Sequence, residues 1–162
     1  MAPFAQALTR RCAQSLAALL IAVLMLGGGG QPAAAALLHL AGPLPADLGV
    51  HEDHLAPCPT AAHCSSATWP AADPAAALDA LLPAVLGLDG IEVVETGAGY
   101  LHATATSRLF GFVDDLELYA DLDQGVLQAR SVSRLGDSDL GVNGRRLEVL
   151  HAALLAQQSA GS

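Results

Sequence analysis

The residues best suited to chemistry lie in the second half of the chain. They are Arg108, Asp114, Asp115, Glu117, Arg130, Arg134, Asp139, Arg146 and Glu148, with His102, Ser138 and Asn143 beside them. All 7 Lys+Arg residues of the chain are arginine. A guanidinium is a planar fork of donors that meets a carboxylate or phosphate with two bonds at once, which an ammonium does not do. The set therefore reads first as a network of Arg–carboxylate pairs across strands, and second as a polar pocket for an anion. Acid–base catalysis by Asp114 with Asp115, or by His102 with an aspartate, is the weakest reading. Adjacent residues on a strand point to opposite faces, so the two aspartates do not converge. Ser131, Ser133 and Ser138 lie in no Gly-x-Ser-x-Gly setting, so a hydrolase triad has no support. No glycine loop suited to phosphate is present in the body of the chain, where Gly97-Ala-Gly99 marks a hairpin turn.

A second cluster holds His51, His54, Cys58, His63 and Cys64 within 14 residues. Cys and His are zinc ligands, but no pair here has the Cys-x2–4-Cys spacing of a zinc knuckle. The expected state is a Cys58–Cys64 disulfide, with free thiols and a metal site as alternatives. Asp137, Asp139, Asn143 and Glu148 are spaced partly like a calcium loop. Val142 stands where that loop needs glycine, so capping of a helix by Asp139 and Asn143 is preferred. No metal and no cofactor is expected.

These residues need a scaffold, and hydrophobic periodicity supplies one. Asp73 is placed to cap a helix with Pro74 at its first position and Leu78, Leu81, Leu82, Val85 and Leu86 on one face. Pro83 should bend or shorten it, and Gly87 should end it. Period-two patterns then predict strands over 91–95, 100–108, 112–120 and 126–134, with a tight turn at 121–125. Asn143 is expected to cap a last helix carrying Leu147, Leu150 and Leu154. The predicted fold is α+β: a four-stranded antiparallel meander between an N-terminal and a C-terminal helix, both helices on one face. Alternation puts Asp115, Glu117 and Tyr119 on one face of their strand, and Arg130 with Arg134 on one face of the last.

The N-terminus has a different character. Arg10 and Arg11 precede an apolar run at 16–26, and small residues at 33–36 follow. This is the pattern of a cleaved secretory signal over 1–36, too short in its apolar run to span a bilayer. Residues 37–72 read as an extended lead segment with the cysteine loop as its ordered point, 73–157 as the α+β domain, and 158–162 as a loose tail. Export implies the periplasm, or the periplasm or thylakoid lumen for a cyanobacterial source. Trp69 is expected to plug the lead segment onto the core. With 16 acids and a net charge of −9, nucleic acid is excluded as the main partner.

Three segments carry a family resemblance. They are Leu55-Ala-Pro-Cys58-Pro59-Thr-Ala-Ala-His63-Cys64-Ser65-Ser66; Arg108-Leu-Phe-Gly-Phe-Val-Asp114-Asp115-Leu-Glu117; and the run from Arg130 through Arg134, Ser138, Asp139, Asn143 and Arg146 to Glu148. In this order they resemble the DUF1499 family, across most of the chain beyond the signal. His63 stands where that family usually has Asn, and the stretch between Ser66 and Asp73 is short. The resemblance implies which positions matter and carries no activity. The expected function is that of an exported, non-enzymatic module for a small anionic ligand or a protein partner. The alternatives are a hydrolase or metal-dependent enzyme using His102, Asp115, Arg130 and Arg134, and an assembly factor docking on a membrane complex.

Overall fold

The computed structural model describes residues 40–160. The expected signal at 1–36 lies outside the described residues. The chain order is β1 (Val50–His51), β2 (His54–Leu55), β3 (Cys64–Pro70), α1 (Pro74–Leu86), β4 (Ile91–Gly97), β5 (Tyr100–Thr106), β6 (Val113–Asp121), β7 (Val126–Ser133) and α2 (Val142–Ala160). The class is α+β, with all pairs antiparallel.

Two features of the expected fold are corrected. The sheet has five strands, in the order β3-β7-β6-β5-β4. The added strand, β3, comes from the segment read as an extended lead. Helix α1 is consequently not N-terminal to the sheet, because three strands precede it in the chain. β3 escaped detection because its inward residues Ser65 and Ala67 are small or polar and only Trp69 is a large apolar group. It pairs along β7 from Cys64↔Val132 to Pro70↔Val126, and its Pro70 sits at a strand end on a sheet edge, where a missing N–H costs nothing.

Asp73 caps α1, its Oδ1 accepting from the Ala76 N–H at 2.9 Å. The helix runs through Pro83 to Leu86; Pro83 is exposed while Leu78, Leu81 and Val85 are buried, so the apolar face outweighs the lost backbone bond. At Gly90 the backbone takes φ +66°, and a Cβ there would meet the carbonyl oxygen of Thr106, so glycine lets β4 approach β5. The tail expected from residue 158 is helical as far as Ala160.

Both helices cover one face of the sheet. Leu101, Ala103, Leu116, Leu118, Leu127 and Ala129 meet Leu78, Leu81, Val85, Leu147, Leu150 and Leu154 there. Trp69 is buried in the same layer and stacks on the His151 ring, centroids 5.2 Å apart. Period two then sends the alternate strand residues to the far face, where the sequence has charges instead of leucines.

Candidate functional site

The far face is a buried polar layer. β5 contributes Tyr100 and His102, β6 contributes Asp115, Glu117 and Asp121, and β7 contributes Gln128 and Arg130. The register sets Glu117 opposite both His102 and Arg130. Glu117 is fully buried and Arg130 is 1% exposed. Arg130 Nη1 donates to Glu117 Oε2 at 2.8 Å, and its Nη2 donates to Asp47 Oδ2 at 2.7 Å. Glu117 Oε1 accepts from the Tyr100 hydroxyl and from the Gly49 N–H, each at 2.7 Å. Gln128 accepts from the Leu55 N–H at 3.0 Å and donates to Asp121 Oδ2 at 3.1 Å. Residues 47–55, including the β1–β2 hairpin, are thus stitched over the sheet as a strap.

At the end of this layer Arg134 grips Asp115 with two bonds: Nε to Oδ2 at 2.8 Å and Nη2 to Oδ1 at 2.7 Å. His102 Nε2 lies 2.8 Å from the same Oδ1. Burial alone would raise the Asp115 carboxyl, but the hydrogen bonds from Arg134 and His102 together hold it below the ordinary carboxylate range. Burial, followed by the hydrogen bond to Glu117, pushes the Tyr100 phenol far above its usual value.

The helix-side face carries a second, separate network. Arg146 Nη2 donates to Asp114 Oδ2 at 2.9 Å, while its Nη1 donates to Ser131 Oγ at 2.6 Å and Asn143 Oδ1 at 2.7 Å. Asn143 Nδ2 donates to the His63 carbonyl at 3.1 Å and to Ser133 Oγ at 3.0 Å. Asn143 is therefore a buried cross-link and not the cap expected of it. Asp139 caps α2, accepting from the N–H groups of Gly141 at 2.8 Å and Asn143 at 2.9 Å. Burial works against the Asp139 charge, yet these backbone donors hold its carboxyl below the ordinary range.

The expected set is thus divided. Asp115, Glu117, Arg130 and Arg134 share the strap-side face; Asp114, Asn143 and Arg146 share the helix side. Arg108 belongs to neither. Strand β5 ends at Thr106, and Arg108 sits on the exposed turn beyond it, bonded to Asp89 at 2.9 Å. Ser138 is exposed and accepts from the Leu140 N–H at 3.3 Å. No Arg134–Asp139 bond forms, because Arg134 turns to Asp115. Glu148 is exposed on α2. Asp47, Gly49, Tyr100, Asp121 and Gln128 went unforeseen as network members. Tyr100, Asp121 and Gln128 share strand parity with His102, Glu117 and Arg130, a signal the sequence does contain.

Cys58 and Cys64 are bonded to each other, with Cα atoms 5.5 Å apart. Both thiolates are thereby removed from the metal reading of His51, His54, Cys58, His63 and Cys64. Among the described residues, no group of three or more His, Cys, Asp or Glu side chains could hold a metal ion.

Fold and network together define a small disulfide-bonded α+β domain with buried ion pairs on both faces of one antiparallel sheet. The sequence profile of the family described as "Protein of unknown function (DUF1499)" matches residues 46–154, and the chain belongs to that family. That span begins at the strap and ends in α2, so it includes both networks. No curated protein matches, and no solved structure matches.

Proposed function

We propose that this chain is a non-enzymatic binding module, exported and oxidised, whose ligand is a small anion or a protein partner. One observation carries the reading. The acid–base residues on which an enzyme would rely are bonded to each other and shut away. His102 is 6% exposed, and Asp115 and Glu117 are 0% exposed. Both Asp115 oxygens are occupied by Arg134, so neither is presented to a reactant. A general base must come within hydrogen-bond reach of the proton it takes, and these groups are almost wholly withdrawn from solvent. The open recesses lie elsewhere on the surface, as suits recognition. The acidic balance of the chain disfavours nucleic acid.

Export is supported by the N-terminal pattern and by the Cys58–Cys64 disulfide, which persists in oxidising compartments. Intact-mass analysis of the exported fraction should place the mature N-terminus near residue 37. The full-length protein retained in the cytoplasm would oppose this. A thermal-shift screen of small anions tests binding, because a ligand selective for the native state raises the melting temperature. A turnover that His102→Gln abolishes would overturn the non-enzymatic reading.

A further inference from the structure

We infer that the cleft between the β5–β6 turn and the start of α2 binds a small amphipathic monocarboxylate. This rests on the binding reading above and names its site and ligand class. The cleft has a volume of about 400 Å³, within the range of small-molecule sites. Arg108, Arg145 and Arg146 line it, three of the five arginines in the described residues. The other two, Arg130 and Arg134, are committed to carboxylates on the opposite face of the sheet.

The three arginines have different roles. Arg146 is held in place by Asp114, Ser131 and Asn143, so it forms a preorganised floor whose side chain is 10% exposed. Arg108 stands at the rim, 76% exposed, against an Asp89 that is 88% exposed. So exposed an ion pair holds Arg108 only weakly, and its remaining N–H groups can reach a ligand carboxylate while Asp89 stays at the rim. Arg145 is exposed and donates from Nη1 to the Leu140 carbonyl at 3.0 Å. Its guanidinium has further N–H groups to offer.

Charge and shape specify the ligand. Asp89 and Asp114 also line the cleft, so three cations face two carboxylates and one positive charge is left over. That balance favours a monoanionic head over a dianionic phosphate monoester. Leu88, Val142 and Val149 form an apolar wall, and the two valines are 40% and 55% exposed. A short apolar body attached to the carboxylate would cover that surface.

Titration of the full chain with sodium hexanoate tests the inference, followed by the arginine Nε–H signals in nitrogen-15 spectra. Acetate and hexylammonium serve as controls. Hexanoate should shift the signals of Arg108 and Arg145 and bind at least several-fold more tightly than acetate, while hexylammonium should not compete. Arg108→Gln and Arg145→Gln change exposed side chains, so their melting temperatures should stay near that of the parent. Each should weaken hexanoate binding about tenfold, the loss of one charge-assisted contact. Val149→Ser should shrink the preference for hexanoate over acetate. Unmoved arginine signals, unchanged affinity in both variants, or equal binding of hexylammonium would each overturn the inference. If another anion in the screen binds away from these arginines, the site is wrong and the binding reading stands. A turnover lost with His102→Gln strikes the binding reading instead.

Discussion

Glu117 shows why one residue in the strap-side layer cannot be changed alone. It is fully buried, and it accepts from Arg130, Tyr100 and the backbone of the strap. Arg130→Ala would leave this carboxylate buried without its cation, which should lower unfolding free energy by about 3–5 kcal/mol in denaturant melts. A loss below about 1 kcal/mol would mean the pair is not desolvated as described. Asp115 makes the layer sensitive to acid. Its carboxyl is held low in the folded protein by Arg134 and His102 against the cost of burial. The folded state therefore binds this proton less readily than the unfolded chain. The associated stability should be complete above about pH 4, the ordinary aspartate value, and should fall as pH drops toward the lowered one. Arg134→Ala removes the main partner, so the acid limb of its stability profile should be shallower than that of the parent. Equal slopes below pH 4 would show that Arg134 does not hold the carboxyl down.

At the level of elements, Asp139 and Arg134 act apart. Asp139 caps α2 and Arg134 clamps Asp115, with no shared partner. Asp139→Ala should cost about 1 kcal/mol as a lost helix cap. Combined with Arg134→Ala, the losses should add to within about 0.5 kcal/mol. A larger coupling would show a link between them that the bonding does not contain. The two residues are close in sequence yet apart in bonding, which shows what the sequence conveys here. Strands β4 to β7 and both helices are legible because Leu, Val and Ala recur at period two or 3.6. The far-face grouping of Asp115, Glu117 and Arg130 is legible too, since parity needs no register. Register is what assigns Arg134 to Asp115, and side-chain parity alone does not contain it. The hairpin of β1 and β2 has two residues per strand, too few for any period to show. Arg108 shares strand parity with His102, Thr104 and Thr106, but Ser107 is polar where an apolar residue is due, and β5 ends at Thr106 before a turn over 108–110. Arg145 and Arg146 are adjacent in sequence, yet helical rotation leaves Arg145 exposed at the cleft while Arg146 points toward the sheet.

For the whole molecule, the sheet is mainly apolar beneath the helices, with the Asp114–Arg146 network set at one end, and ionic beneath the strap. The strap is fastened by the polar layer at 47–55 and by the Cys58–Cys64 bond where it enters β3. Replacing both cysteines with alanine should cost roughly 2 kcal/mol through the freed loop of the unfolded chain. The loss should appear as a lower melting temperature, and amide exchange should quicken near residues 47–63. Unaltered melting would show that the strap is held without the disulfide. As proposed, the buried ionic layer is structural and not a catalytic centre carried at a cost to stability. A double-mutant cycle on Arg134→Met and Asp115→Asn, read by denaturant unfolding at pH 7, tests it most directly. Each single change should destabilise by about 3 kcal/mol, and the double should lose at least 1 kcal/mol less than the sum. Neutral or stabilising single changes would contradict it, because strained functional residues release stability when removed.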